Sequence, residues 1–301
     1  LDGLGKYSEA LEYSQRALQT LRRSKNINYF MSQKILTRIG TLLSRLGQYK
    51  NSLPYHERAL TISKEIYDGK AYSDVSLQNI GFVLGQLKRY GEALKYLNQS
   101  QEMQRQLYGD KDHLGVAFTL HNIGYSLAGL GKHMDAMDYY QKAVDMRRRI
   151  LKTEEHFRIA SCLEDMGMSL FALGQYDDAL VLCKKALSIN QKVFKDKEHR
   201  WTADNFGHIG DIKIKLNKFE EGLECYKQAL CMALRFYKRE HPNISRHYKR
   251  LDDCMCRLKE SELIQQTKAE VLPLCIQYLG KDHELTKALS VVDSNDKQQT
   301  P

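Results

Sequence analysis

The stretch Gly5-Lys6-Tyr7-Ser8-Glu9-Ala10-Leu11 opens a phrase that returns five more times along the chain. Its recurrences begin Gly47-Gln48-Tyr49, Lys88-Arg89-Tyr90, Gly131-Lys132-His133, Gly174-Gln175-Tyr176 and Asn217-Lys218-Phe219. The third position falls at 7, 49, 90, 133, 176 and 219, so the steps are 42, 41, 43, 43 and 43 residues. A second phrase keeps the same beat: Gly40, Gly81, Gly124, Gly167 and Gly210 follow Ile39, Ile80, Ile123, Met166 and Ile209. Two locked registers signify a stack of alike units, none of which can bury its apolar face alone.

Each unit reads as an antiparallel helix pair. Val75, Leu77, Ile80, Gly81 and Leu84 hold helical spacing, as do Tyr90, Ala93, Leu94, Leu97 and Leu107. Gly85-Gln86-Leu87-Lys88-Arg89 between the two runs is short and polar enough for a turn. The recurring glycine has a packing reason, because a side chain there would hold the two helices apart. Ala10, Ala93, Ala136 and Ala179, with Ser52 and Gly222 as substitutes, supply the small partner on the second helix. The acids Asp112, Glu155, Glu198, Glu240 and Asp282 stand where the next helix begins and are expected to cap its free amides.

The expected division is a lone second helix over 1–28, then units over 29–70, 71–112, 113–155, 156–198 and 199–240. A degenerate sixth unit follows over 241–282, where Asp253 takes the glycine's place and Pro273 interrupts the second helix. Residues 283–301 start a further helix and end in a polar tail expected to fray. Pro54 is expected to kink its helix. A chain that opens and closes in mid-unit, without an initiator methionine, reads as a piece of a longer one.

Bulk properties narrow the class. With 42% hydrophobic and 28% charged residues and only four prolines, the chain suits a helical, folded protein rather than a disordered one. No apolar run is long enough for a membrane span, and the N-terminus shows no basic-then-apolar signal pattern, so neither is expected. The seven cysteines are an odd number and mostly occupy apolar-periodic positions, as reduced, buried thiols of a cytoplasmic protein would. The sequons at Asn98 and Asn243 are then without consequence. A net charge of +9 favours acidic partners.

Leu77-Gln78-Asn79-Ile80-Gly81, Leu120-His121-Asn122-Ile123-Gly124, Tyr140-Gln141-Lys142-Ala143-Val144 and Glu240-His241-Pro242-Asn243 resemble the tetratricopeptide repeat. The long period and the Gly-Lys-Asp-His linker look like its kinesin light chain and nephrocystin type. The resemblance covers roughly residues 1–290. It implies an all-α, right-handed superhelical α-solenoid of helix–turn–helix units, whose first helices line a concave groove that holds a partner peptide. In kinesin light chains acidic cargo peptides use that groove, and paired asparagines grip the peptide backbone. Asn79 and Asn122 match that asparagine, whereas Arg38, Asp165 and His208 depart from it. The coiled coil that binds the motor in that family has no counterpart here.

The first-helix positions outside the interior pattern are the candidate binding residues: Arg38, Gln78, Asn79, Phe82, Phe118, His121, Asn122, Tyr125, Asp165, Met168, His208 and Asp211. Phe82, Phe118, Tyr125 and Phe171 recur on one face, which suggests an aromatic-lined groove with polar handles. The bland alternative is that these rings pack against the neighbouring unit. The histidines at 113, 156, 199, 241 and 283 form a ladder, but adjacent units stand about 8–10 Å apart while a metal needs its ligands within about 2 Å. The ladder reads as structural.

Cys254-Met255-Cys256 lacks the spacing of a zinc pair, Gly129-Leu130-Gly131-Lys132 is the repeat's turn, and Arg147-Arg148-Arg149 reads as a solvated helix face. No catalytic set or cofactor fingerprint emerges, so no enzyme activity, cofactor or metal is expected. The expected function is a non-catalytic scaffold that binds a protein or peptide, acidic peptides being favoured. A competing class makes the array the targeting or sensing arm of a larger enzyme or signalling ATPase. Nucleic acid is not expected, because the groove positions show no regular base-reading pair. Oligomeric state is left open.

Overall fold

The computed structural model describes residues 2–23, 28–66, 73–195, 199–237, 241–258 and 262–290. Among these the fold is all-α, and the chain divides into two compact units, Leu1–Glu154 and Glu155–Pro301. The first unit holds α1 (Asp2–Arg23), α2 (Tyr29–Arg45), α3 (Tyr49–Ile66), α4 (Ser73–Gln86), α5 (Tyr90–Tyr108), α6 (Leu114–Gly129) and α7 (His133–Leu151). The second holds α8 (Phe157–Ala172), α9 (Tyr176–Phe194), α10 (Arg200–Lys215), α11 (Phe219–Phe236), α12 (Pro242–Leu258), α13 (Glu262–Leu279) and α14 (Glu284–Ser290). Within each unit, helix–turn–helix pairs stack in solenoid fashion: α2 packs on α3, α4 on α5, α6 on α7, α8 on α9 and α10 on α11.

The recurring glycine sets the closeness of each pair, through a partner that sequence did not single out. A Cβ at Gly40 would lie 2.6 Å from the His56 ring. At Gly81 it would lie 2.5 Å from Leu97, at Gly124 2.8 Å from Tyr140, at Gly167 2.6 Å from Cys183, and at Gly210 2.5 Å from Tyr226. One side chain of the second helix thus lies directly over the missing Cβ. The small residue is close too, since the carbonyls of Ala93, Ala136 and Ala179 stand 3.3, 3.2 and 3.1 Å from the same points. Ile39, Ile80, Ile123, Ala93 and Leu97 are almost wholly buried around these contacts. Burial of such an aliphatic side chain contributes about 1.5–3 kcal/mol.

The turn inside each pair needs one left-handed residue, which explains the opening position of the repeated phrase. Gly47, Lys88, Gly131, Gly174 and Asn217 have φ of 76°, 61°, 79°, 80° and 59°. Around Lys88 the amide of Lys88 donates to the Gly85 carbonyl at 2.9 Å and that of Arg89 to Leu84 at 2.8 Å, closing the helix end. Asparagine tolerates this region, glycine occupies it freely, and lysine adopts it at a cost.

The helix starts correct one expectation. The caps are the histidines, not the acids before them. The Nδ1 atoms of His113, His156, His199, His241 and His283 accept the amides of Gly115, Arg158, Trp201, Asn243 and Leu285 at 3.1–3.3 Å. A histidine Nδ1 reaches back to the N2 amide as an Asn or Asp oxygen would. Asp112 instead pairs with Arg149 at 2.7 Å, Glu155 with Lys192 at 2.7 Å, and Asp282 stands 3.9 Å from Lys287. Glu198 and Glu240, like the linker at 68–70 and the tail from 294, lie outside the described residues.

Two details of the C-terminal region also differ from expectation. Asp253, aligned with the glycine, faces solvent, and Cys254 beside it is buried. α13 runs unbroken through Pro273 and packs on α11 and α14 rather than closing a tight pair with α12. Pro54 is likewise an exposed residue inside continuous α3. All seven cysteines are free thiols; Cys256 is exposed, Cys231 half-buried and the others buried.

Gly124→Ala is expected to cost about 1–3 kcal/mol by forcing a methyl against Tyr140, and Lys88→Gly to gain about 0.5–1 kcal/mol by relieving the left-handed turn. Denaturant melts of both variants check this, and equal midpoints would refute the packing account. Stability should also fall on acidification. Burial holds His56 and His199 down to about 4 from the ordinary 6.5, and burial lowers His241 as well. The unfolded chain therefore binds more protons between those values, so thermal midpoints should drop as pH falls from about 6.5 toward 4.

Candidate functional site

In the first unit, α4 touches both α2 and α6, so these first helices form one layer. Arg38 on α2 is exposed and Asn79 on α4 half-buried. Phe82 and Phe118 meet across the two helices with ring centroids 6.0 Å apart, and Phe82 also meets Tyr49 edge-on at 6.3 Å. Tyr125 on α6 meets Tyr90 edge-on at 6.1 Å. These rings pack between neighbouring helix pairs and still stay half-exposed. They serve cohesion and present an apolar surface at once.

The remaining first-unit candidates are more committed to the interior. Gln78 is buried and donates to Asp74 at 3.4 Å. Asn122 is 7% exposed and donates from Nδ2 to its own helix, at the Phe118 carbonyl, 2.8 Å away. His121 faces Arg147, whose Nη2 lies 3.3 Å from Nδ1. Because arginine can only donate, His121 Nδ1 is the acceptor and its proton sits on Nε2. Arg147 itself is almost fully buried, so this histidine helps to solvate an interior guanidinium. Asn79 and Arg38 are the polar candidates left facing outward.

In the second unit the candidate polar residues are drawn into ion pairs between first helices. His208 on α10 lies 2.7 Å from Glu164 on α8. Asp211 accepts from Tyr226 Oη at 2.9 Å and pairs with Arg250 of α12 at 2.6 Å. Asp204 pairs with Arg246 and stands 3.6 Å from His247. Burial works against its ionised form, but His247, Arg246 and His208 outweigh this and hold its carboxyl below the usual range. Asp165 is half-buried, and Met168, like Phe171, packs against the buried cluster of Ala179, Cys183, Ile209, Ile212 and Cys225. Asp165, Met168 and Phe171 thus lie on a face that is largely self-satisfied.

Glu164, Asp204, Arg246 and Arg250 are polar residues of this face that sequence reasoning passed over. A signal existed: Gln78, His121, Glu164 and Gly207 share one place in the repeat. Gly207 leaves that place empty, and the Arg250 guanidinium lies over it. Formal charge divides unevenly as well. Residues 1–154 carry 23 basic and 15 acidic side chains, net +8, while residues 155–301 carry 23 and 22, net +1. Among the described residues no helix is long and apolar enough to cross a membrane, and no cluster of three metal-ligating side chains occurs.

The family model of the tetratricopeptide repeat matches residues 31–106, 71–149 and 158–235. Among solved structures, BtubC (BKLC) from P. vanneervenii is similar with a TM-score of 0.58 and 18% identity, covering 78% of this chain and 94% of that one. A putative kinesin light chain with nearly identical repeats, from P. anserina, is similar with a TM-score of 0.52 and 16% identity, covering 67% and 94%. NprR in complex with its cognate peptide NprX is similar with a TM-score of 0.63 and 18% identity, covering 94% and 75%. At these identities the likeness is one of fold. No curated protein matches significantly.

If Asn122 is chiefly a helix-bound residue, Asn122→Ala should leave the fold in place. Loss of a partly solvated intrahelical bond costs about 0.5–1.5 kcal/mol. A thermal melt with far-ultraviolet circular dichroism tests this, and global unfolding would contradict it.

Proposed function

The chain belongs to the tetratricopeptide repeat family, and from that premise we propose that it is a non-catalytic scaffold whose first-helix face in residues 1–154 binds an extended partner peptide. The observation that carries this reading is the half-exposed pair Phe82 and Phe118, met edge-on by Tyr49 from the start of α3, on a first-helix layer that also bears exposed Arg38 and half-buried Asn79. Rings left half-exposed after packing supply contact area at low entropic cost, and a carboxamide beside them can pair with a peptide's backbone. Arg38 and the +8 charge of this unit favour an acidic ligand, through a faster encounter and a charge-assisted hydrogen bond.

The structural likeness to NprR, which was solved with a peptide, supports this mode of use. In the second unit, Asp165, His208 and Asp211 are candidate binding residues of that unit's own first-helix face. Because His208 and Asp211 are already paired, we assign them a smaller share of the affinity. Free thiols are consistent with residence in a reducing compartment such as the cytoplasm.

Fluorescence polarisation with labelled acidic, neutral and basic peptide libraries tests the proposal. An acidic peptide is expected to bind, and Arg38→Glu or Asn79→Ala should each weaken it about tenfold, or about 1.4 kcal/mol. Asp211→Asn should change affinity much less. Equal binding of all three libraries, or unchanged affinity in both first-unit variants, would rule out this face as the site.

A further inference from the structure

Glu164 Oε1 on α8 and His208 Nδ1 on α10 approach to 2.7 Å, with side chains 10% and 22% exposed. Seven residues earlier on each helix, Phe157 and Trp201 stack with centroids 4.6 Å apart and planes only 9° from parallel. Seven residues is about two helical turns, so both contacts lie on the same pair of faces. One helix–helix contact is therefore held at two points, by a ring stack and by a buried ion pair.

The shortest ties from α10 to α12 use arginine; His247 also stands 3.6 Å from Asp204, and burial lowers the histidine's pKa. Asp204 is bound to Arg246 and Asp211 to Arg250, both on α12. Arginine stays charged throughout the physiological range, so these two arginine ties do not titrate there. Histidine does. We propose that Glu164–His208 is a pH-operated staple between α8 and α10, closed while the imidazole is protonated and released when that proton leaves.

The charged and titratable surroundings set the direction. From α8 come Glu164 and Asp165; from α10 itself Asp204 and Asp211; from α12 Arg246, His247 and Arg250; and from α9 Cys183. Burial alone would lower the His208 pKa. The hydrogen bond and charge of Glu164 outweigh it, Asp204 adds to them, Arg250 opposes, and the result lies above the ordinary value of 6.5. The sign follows from linkage. A pKa raised in the folded state contributes stability that is complete below the unfolded value and is lost as pH rises through the folded one. Burial raises the Glu164 pKa too, against the pull of His208, so loss of the imidazolium charge leaves a desolvated carboxylate without its cation, which favours separation of the two helices.

The protein carries its own reporter, because Trp201 is the sole tryptophan. Its emission and the His208 imidazole resonance should be followed together on the full chain from about pH 5.5 to 9, bracketing the ordinary histidine range. His208 is expected to titrate above 6.5 and the Trp201 signal to shift with the same midpoint. Glu164→Gln should lower the His208 midpoint and abolish the Trp201 step, and His208→Gln should abolish the step while keeping a hydrogen-bond donor. His199, which also touches Trp201 at 4.8 Å, is held down to about 4 and titrates outside this window. A wild-type His208 midpoint at or below 6.5, or a Trp201 step unchanged in Glu164→Gln, overturns the proposal. Should either variant fail to fold, co-titration of His208 and Trp201 in the wild type decides alone, and its absence refutes the staple. None of these readouts depends on peptide binding.

Discussion

How closely the two helices of a pair approach at one glycine governs the rest of the repeat. At Gly40, Gly81, Gly124, Gly167 and Gly210 a second-helix side chain occupies the volume a Cβ would need. That contact brings the backbones close enough for Ile39, Ile80, Ile123 and Ile209 to be buried beside it. The occupant varies among histidine, leucine, tyrosine, cysteine and tyrosine, so the constraint acts on the space rather than on the group that fills it. Tight interiors tolerate exchange of shape between neighbours but not added volume.

The linkers follow a second constraint, the need to satisfy helix ends. Histidine suits the N-cap here because it does two tasks with one ring. Nδ1 accepts an amide, while the ring face stacks on Tyr108 at 4.0 Å for His113, on Phe194 at 3.8 Å for His199, and on Tyr237 at 3.8 Å for His241. An aspartate would cap as well but could not stack. The acids beside the histidines instead pair with basic residues on the second helix of the pair they open, as Asp112 does with Arg149 of α7 and Glu155 with Lys192 of α9.

The candidate binding face shows a division of polar labour. In the first unit Arg38 is exposed and Asn79 half-buried, on the layer of first helices that also carries the half-exposed Phe82 and Phe118. In the second, His208, Asp211 and Asp204 spend their charge on neighbouring first helices. The same face of the repeat thus leaves polar side chains unburied in one unit and serves cohesion in the other. Departures from the repeat mark places where chemistry varies, but they do not say whether the varied side chain looks outward or across to its neighbour.

Periodicity alone determined the helix pairs, their order and the glycine contact, because a recurring small residue among apolar positions has few physical explanations. It also placed Phe82, Phe118 and Tyr125 on one face, since helical spacing fixes direction from the axis. The identity of the caps escaped it, because an acid and a histidine stand side by side in each linker and only coordinates show which one reaches the free amide. The exposure of Asp253 and the intrahelical hydrogen bond of Asn122 escaped it for a related reason: alignment to the repeat gives a position but not local burial or hydrogen bonding. What only the tertiary structure decided was the partnering of side chains from different units. Glu164 with His208 and Asp211 with Arg250 are 44 and 39 residues apart, and nothing local couples them. Their pairing is set by the stacking of one helix pair on the next, which is a property of the assembled fold.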